Sequence, residues 1–340
     1  MRSRSLTVPR DRGEAVRQAL AEAGALRADL KIRTGDGTIV FPIAADGSVV
    51  PSWGVLGESE FDPRTAESPS DYRELLAWPD AEKGLLPRSF DVVGDVVLVR
   101  LPPELRHRGH EIGEALLGFV PRARIVGADR GVHGTERRRS IERLAGDGGW
   151  ATVHRENHLE LEVDLERAYF SPRLALEHTR VAAEVRAGDR VYDLCCGVGP
   201  FSVHLARDGR AREIVAVDSN PSAIELLRRT LARYSFGGRV TAVEARIETF
   251  LADRAPFERA ILNLPHEGIK YASSVAGVVA PGGRLYYYEI VPRAELKQRG
   301  DVIAGSLGPT GEWRPIAFHV VHPYAPDADL AGFVFARRGE

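Results

Sequence analysis

Apolar residues follow two alternating patterns along the second half of the chain, from about residue 170 onward. Short apolar runs of strand length are followed by segments whose apolar residues recur at helical spacing. The predicted strands are residues 190–194, 213–218, 240–245, 259–263 and 284–291, and the predicted helices are residues 201–207, 221–234, 269–279 and 295–307. This alternation predicts an α/β domain with a mostly parallel sheet and helices on both faces. Two late strands, residues 313–322 and 332–337, predict an antiparallel hairpin at one end of that sheet.

The first 165 residues have a different pattern, which predicts two small α+β domains. Their predicted elements are a helix at 13–24, strands at 38–43 and 49–50, a polar linker at 57–71, a strand pair at 90–101, a helix at 103–117 and strands at 124–128 and 150–164. We therefore predict three domains, residues 1–70, 71–165 and 166–340.

Charge is nearly balanced over the whole chain but not along it. The 340 residues carry a formal net charge of -2, which is not typical of a nucleic-acid-binding protein. Residues 121–146, however, contain seven arginines and three acidic residues. A local basic segment of this kind can bind a phosphate backbone.

Apolar runs are too short to span a bilayer, and the charged N-terminus lacks the apolar core of a signal peptide. We therefore expect a cytoplasmic protein with no membrane partner. The two cysteines, Cys195 and Cys196, are adjacent, and no spacing of cysteine and histidine indicates a metal site. We expect both cysteines to be small buried residues of a turn and expect no bound metal.

A glycine-containing turn follows the first strand of the α/β domain. The strand contains Asp193, and the turn contains Gly197 and Gly199, which allow a ligand to approach the backbone closely. Ser202 stands where a dinucleotide-binding loop has its third glycine. Asp218 ends the next strand, where an acid can accept hydrogen bonds from both hydroxyls of a ribose.

The triplet Asn263-Leu264-Pro265 follows the fourth predicted strand. Class I methyltransferases place a substrate-orienting motif of this type there, and dehydrogenases have nothing comparable. Together with the glycine turn and Asp218, the triplet favours a methyltransferase.

With these residues in view, the chain resembles the archaeal and eukaryotic type of tRNA (guanine-37, N1)-methyltransferase over nearly its full length. The motifs that carry this resemblance are LAGDGGWATVHREN at 144–157, AYFSPRLALE at 168–177, CGVGPF at 196–201, NLP at 263–265 and VHPYAP at 321–326. The resemblance implies a class I, Rossmann-like methyltransferase domain, S-adenosylmethionine as cofactor, tRNA as partner and a monomer. It also implies that the first domain holds the tRNA elbow and that the middle domain binds RNA.

Three catalytic roles follow from the resemblance. Glu177, four residues after the arginine of SPR, looks like the base that removes the N1 proton of guanine. Arg137 looks like the residue that stabilises negative charge on O6, although Arg138 and Arg139 leave the register open. Asn263 looks like the residue that orients the base.

Binding residues are carried over in the same way. The predicted cofactor contacts are Asp193, Cys196, Gly197, Gly199, Phe201, Asp218, Glu244, Asn263 and Pro265. The predicted RNA contacts are Arg138, Arg139, Arg155 and Arg173. Glu244 is the acid nearest the position where the family commonly has an aspartate near the adenine. We expect His154 and His178 to be structural.

Three alternative functions remain at this point. A wyosine-pathway enzyme could transfer a methyl or an aminocarboxypropyl group at the same nucleotide, although the pairing of NLP with Glu177 favours methyl transfer to N1. A nicotinamide-dependent oxidoreductase is disfavoured by the departure from G-x-G-x-x-G. A non-catalytic tRNA-binding protein is disfavoured by the intact cofactor motifs. Since N1 is engaged or stacked in a structured loop, we expect the target base to be flipped out.

Overall fold

The computed structural model describes residues 1–10, 13, 16–17, 20, 23–27, 29–45, 47, 49, 53–63, 69–133, 138–236, 238–309 and 311–339, with residues 132, 133 and 138 described by their backbone alone. The chain divides into two compact units, residues 1–75 and 76–340. Within the described residues, no helix combines the length and the apolar character that crossing a membrane requires.

The first unit contains a four-stranded antiparallel sheet. Its strands are β1 (Arg2–Pro9), β2 (Arg33–Gly35), β3 (Thr38–Ile43) and β4 (Val55–Glu60), in the order β2-β3-β1-β4. Strand β3 confirms the prediction for residues 38–43, and Leu6 and Phe41 are buried in the core. The predicted linker at 57–71 is wrong at its start, because residues 57–60 belong to β4. The predicted helix at 13–24 and strand at 49–50 include positions outside the described residues.

The second unit begins with a smaller sheet. Its elements are the short helix α1 (Asp80–Lys83), strands β5 (Asp91–Val93) and β6 (Val96–Val99), helix α2 (Gly109–Phe119) and strands β7 (Ile125–His133) and β8 (Arg138–Gly146). The strand order is β5-β6-β7-β8, with β6 and β7 parallel. Helix α2 packs closely against β8 at Gly113. A Cβ at this position would lie only 2.7 Å from Cβ of Leu144. Strand β8 was not predicted, since its charged sequence RRSIERLAG hides the alternation.

A two-stranded hairpin follows, formed by β9 (Ala151–Glu156) and β10 (Leu159–Asp164). It confirms the predicted alternation, because Leu159, Leu161 and Val163 are buried and the residues between them are not. The next element is helix α3 (Ala175–Glu184), which begins just after SPR.

The large sheet of this unit has seven strands. They are β11 (Arg190–Leu194), β12 (Glu213–Asp218), β13 (Val240–Glu244), β14 (Phe257–Leu262), β15 (Val279–Pro292), β16 (Trp313–Ala325) and β17 (Ala328–Arg337). The connecting helices are α4 (Pro200–Asp208), α5 (Pro221–Ala232), α6 (Ile247–Leu251), α7 (Ala272–Gly277) and α8 (Leu296–Leu307). The order is β13-β12-β11-β14-β15-β17-β16.

Pairing in this sheet confirms the predicted α/β fold. Strands β11 to β15 are parallel, and β17 enters antiparallel between β15 and β16. The carboxyl ends of β11, β12 and β14 meet at one edge, which is where open α/β sheets bind their ligands. The division into three domains with the stated boundaries stays a prediction.

Candidate active site

The turn between β11 and α4 is shaped by left-handed backbone. Gly197 and Gly199 have φ of 56° and 73°, and Cys195 has φ of 59°. A Cβ on Gly199 would lie 2.4 Å from Cδ1 of Leu227, so only glycine fits against α5. The sequence therefore dictates both the conformation of the turn and its close packing.

Asp193 supports this turn through hydrogen bonds to the first turn of α4. Its Oδ2 accepts hydrogen bonds from the backbone N–H (3.1 Å) and the hydroxyl (2.6 Å) of Ser202, in the first turn of α4. The carboxyl is 1 % exposed, and burial raises its pKa to about 7. Asp193 is not among the residues that line the cavity beside the turn, so its position is that of a support for the turn.

Asp218, at the end of β12, faces that cavity. Its Oδ2 accepts the N–H of Gly197 at 2.8 Å, and its Oδ1 accepts the N–H of Asn220 at 2.9 Å. Binding of the two ribose hydroxyls by Asp218 stays a prediction.

The cofactor cavity is the space bounded by the turn, the end of β12 and the loop after β14. It is lined by five of the predicted cofactor residues, namely Cys196, Gly197, Asp218, Asn263 and Pro265. Gly199, Phe201 and Glu244 do not line it. Gly199 packs toward Leu227, and Phe201 is buried against His178, with ring centroids 4.5 Å apart.

Glu248 takes the place predicted for Glu244. The prediction for Glu244 is not supported by the structure, because this residue ends β13 with an exposed side chain. Glu248 lies in the first turn of α6, lines the cavity and accepts a hydrogen bond from the hydroxyl of Tyr271 at 3.1 Å. Glu248 lies four positions after Glu244, and the sequence pattern does not predict the short helix that begins between them.

A second cavity adjoins the first, and we call it the base cavity. The two cavities share Tyr169, Ser171, Pro265, His322 and Leu330. The base cavity is lined on its other side by residues of the smaller sheet. Asn263, at the end of β14, lies beside the shared wall, and its buried Oδ1 has no partner among the described residues.

Two of the predicted arginines, Arg139 and Arg173, line the base cavity. Arg139 is 9 % exposed, and it donates from Nη1 to Asp129 (2.5 Å) and from Nη2 to the carbonyl of Phe170 (3.2 Å). Its buried Nε has no partner among the described residues. Arg173 also lines the cavity and donates from Nε to Asp91 at 2.9 Å.

Of the other predicted arginines, the structure describes only the side chain of Arg155. Arg155 lies in neither cavity, because its side chain is 81 % exposed and paired with Glu160. Arg137 and the side chain of Arg138 lie outside the described residues. Arg139 is therefore the described member of the three neighbouring arginines that faces the base cavity.

Glu177 is buried in a network of donors. Its carboxylate accepts hydrogen bonds from Nε of Arg180 at 3.0 Å, the hydroxyl of Tyr288 at 2.8 Å and Nε2 of His319 at 2.8 Å. Burial raises the pKa of Glu177, but the hydrogen bonds from His319 and Arg180 outweigh it and hold the pKa at about 2. Glu177 lines neither cavity in this structure.

Both cysteines line the cofactor cavity as free thiols. Burial raises the pKa of Cys195 to about 12 and that of Cys196 well above its ordinary value. Because the reactive form of cysteine is the thiolate, these residues act as walls rather than as nucleophiles.

The sheet order, the glycine turn, the acid at the end of β12 and the Asn-Leu-Pro loop together define a class I S-adenosylmethionine-dependent methyltransferase. Three family models match the chain: the TRM5/TYW2 methyltransferase domain at residues 152–300, the TYW2 N-terminal domain at 72–149 and the tRNA methyltransferase 5 N-terminal domain at 6–48.

Among characterised proteins, the tRNA (guanine(37)-N(1))-methyltransferase Trm5b of Pyrococcus abyssi is 31% identical over 293 residues, covering 86% of this chain and 85% of its own length. Its crystal structure superimposes with a TM-score of 0.72 at 28% identity, covering 99% of both chains. The structure of aTrm5 in complex with tRNALeu gives a TM-score of 0.70 at 28% identity, covering 98% of this chain and 99% of that chain. The chain belongs to the archaeal and eukaryotic family of tRNA (guanine-37, N1)-methyltransferases, and it uses S-adenosylmethionine, as the sequence predicted.

Proposed function

We propose that this protein transfers the methyl group of S-adenosylmethionine to N1 of guanosine 37 in the anticodon loop of tRNA. The observation that carries the proposal is the pair of adjoining cavities, which share Pro265 of the Asn-Leu-Pro loop in their common wall. A nucleoside cofactor on one side and a purine base on the other would meet there. The similarity to Trm5b of Pyrococcus abyssi supports the choice of nucleotide and atom.

Methyl transfer to guanine N1 requires loss of the N1 proton and places electron density on O6. The methyl sulfonium supplies the reactive group, so the protein contributes mainly orientation and electrostatics. We assign the O6 contact to Arg139, because it lines the base cavity and has an unpaired Nε. A fixed cation there stabilises the charge that develops in the transition state. Asn263, whose amide oxygen is unpaired, orients the base.

Glu177 is the proposed acceptor of the N1 proton. Its low pKa keeps it ionised at every working pH, and a weak base suffices because methylation makes the N1 proton strongly acidic. Since the carboxylate faces Arg180, Tyr288 and His319 here, it must exchange at least one of these partners when the base enters.

Phosphate contacts and base flipping complete the proposal. Arg173 is half exposed at the mouth of the base cavity and can reach the backbone beside the flipped nucleotide. Residues 1–70 are proposed to hold the tRNA elbow, and the middle domain to bind RNA. We also propose that the enzyme is a monomer and acts in the cytoplasm.

A wyosine-pathway transferase is the second candidate, because residues 72–149 match a model described as the TYW2 N-terminal domain. Such an enzyme could transfer the aminocarboxypropyl group of the same cofactor. The two reactions differ in which carbon–sulfur bond breaks, so they can be told apart by labelling.

The deciding experiment uses S-adenosylmethionine labelled with tritium in the methyl group and with carbon-14 in the carboxyl group. Transcripts of one tRNA carry guanosine or adenosine at position 37. We expect tritium alone in the guanosine transcript, recovered as N1-methylguanosine. Carbon-14 in the RNA would identify aminocarboxypropyl transfer, and label in both transcripts would contradict the assigned nucleotide.

Cofactor binding should depend on Asp218 and not on Glu244. We expect Asp218→Ala to weaken S-adenosylhomocysteine binding by about a hundredfold, because each hydrogen bond to a carboxylate contributes about 1.5–3 kcal/mol. Glu244→Ala is the matched control, because this exposed acid lies outside the cavity wall. Titration calorimetry checks both variants, and equal losses would contradict the assignment of the ribose site.

A further inference from the structure

A buried cluster of one carboxylate and two imidazoles lies beside the cofactor cavity. Glu156 at the end of β9 is 4 % exposed, His178 in α3 is 0 % exposed and His204 in α4 is 5 % exposed. Nδ1 of His178 lies 2.5 Å from Oε1 of Glu156, and Nε2 of His204 lies 3.3 Å from the same oxygen. The reaction described above uses none of these residues.

The distances favour a hydrogen-bonded pair over a metal centre. Zinc ligands at 2.0–2.1 Å in a tetrahedron lie about 3.4 Å from one another. The separation of 2.5 Å between His178 and Glu156 is too short for two ligands of one ion, and it is that of a short hydrogen bond.

The hydrogen bond to Glu156 determines which nitrogen carries the proton in the neutral form of His178. Burial raises the pKa of Glu156, but the hydrogen bond from His178 and the nearby histidines outweigh it and hold the pKa below its ordinary value. Glu156 is therefore a carboxylate, and His178 donates to it from Nδ1. In the neutral imidazole the other nitrogen, Nε2, is then an acceptor.

That acceptor has no partner within the described part of the chain. A buried acceptor without a hydrogen bond has lost its contact with water and gained nothing in return, so a ligand donor at this position would recover free energy. His178 lines the cofactor cavity together with Leu174 and with Val198 and Pro200 of the glycine turn. His178 belongs to α3, whereas Glu248 of the same lining belongs to α6.

We propose that Nε2 of His178 accepts a hydrogen bond from the α-ammonium group of the methionine part of S-adenosylmethionine, and that Glu156 fixes the imidazole in the required tautomer. The negative charge of Glu156 behind the ring favours a cationic partner over the cofactor carboxylate. His178 is thus a cofactor-binding residue rather than the structural residue that the sequence predicted. The inference rests on the proposed placement of the cofactor in this cavity.

The test compares one substitution across three ligands. In His178→Asn, the side-chain amide nitrogen can replace Nδ1 as the donor to Glu156, while Nε2 is lost. The ligands are S-adenosylhomocysteine, its decarboxylated form, which keeps the amine, and 5′-methylthioadenosine, which has no amino-acid part. We expect titration calorimetry to show about tenfold weaker binding of the first two and unchanged binding of 5′-methylthioadenosine, which also reports an intact cavity.

Each other pattern overturns the assignment. Weaker binding of S-adenosylhomocysteine alone would identify the carboxylate as the partner of His178. Weaker binding of all three ligands, or of none, would leave His178 as packing only. His178→Gln, which places a carbonyl oxygen near the position of Nε2, should recover part of the loss. Failure of the wild-type protein to bind 5′-methylthioadenosine would instead contradict the cofactor cavity itself.

Discussion

Glu177→Gln should slow methyl transfer to tRNA by about a hundredfold to a thousandfold, the usual contribution of a positioned acid or base. The substitution keeps the shape of the side chain and removes the charge that accepts the N1 proton. We expect tRNA affinity to change less than threefold. Single-turnover kinetics with saturating S-adenosylmethionine measures the chemical step, and filter binding measures the affinity.

The pKa of Glu177 gives this prediction a pH dependence. A folded-state pKa of about 2 lies below the ordinary value of 4.5, so the ionised group stabilises the fold above pH 4.5, and that stabilisation is lost as the pH falls toward 2. Between pH 5.5 and 8 the carboxylate stays ionised. The ratio of wild-type to Glu177→Gln rates should therefore be constant over that range, and a midpoint within it would show that the donors left to Glu177 in the complex do not keep its pKa low.

Loss of the carboxylate also removes one of two acidic partners of Arg180, whose side chain is 30 % exposed and also pairs with Glu184. Glu184→Gln is the matched control, because Glu184 pairs with the same Arg180 from one turn farther along α3. If this control slows the reaction as much as Glu177→Gln does, the effect belongs to Arg180 and not to proton transfer.

Arg139→Lys is expected to lower the single-turnover rate by about a hundredfold. A lysine keeps the charge but cannot bind Asp129 and reach the base with the same planar fork of donors. Removing one donor to a developing oxyanion costs about a hundredfold to a thousandfold, and the retained charge keeps the loss at the lower end.

Arg155→Lys is the control for Arg139, since this exposed arginine lies in neither cavity. Parallel losses of tRNA affinity and rate in Arg139→Lys would assign Arg139 to a phosphate. An unchanged rate would move the O6 contact to Arg137 or Arg138.

Much of the large sheet could be predicted because its strands are buried on both faces and separated by amphipathic helices. Strand β12 matches the predicted residues 213–218 at both ends. The glycine turn was also recognisable, because its geometry depends on local sequence. By contrast, β8 carries four charged side chains in nine residues, and its place in the sheet depends on pairing with β7 rather than on its own pattern.

The candidate site was predictable where one motif supplies both the residue and its surroundings. Asp218 and Asn263, which the sequence predicts as cofactor contacts, both line the cavity for that reason. The motif identifies Glu177, but it does not show which groups donate hydrogen bonds to the carboxylate. Two of these donors, Tyr288 and His319, lie 111 and 142 residues away in sequence. The sequence also does not show that Nε2 of His178 has no partner among the described residues. Its neighbour Glu156 lies 22 residues earlier, in the β9–β10 hairpin.

The wall shared by the cofactor and base cavities has a consequence for inhibitor design. Because Tyr169, Ser171 and Pro265 border both spaces, an adenosyl group in one cavity and a purine in the other would lie against the same three residues. An adenosine joined through a short linker to guanine could occupy both cavities as one molecule. Because the two groups are linked, the entropy of association is lost only once when both bind. The compound would be selective because tight binding requires both cavities.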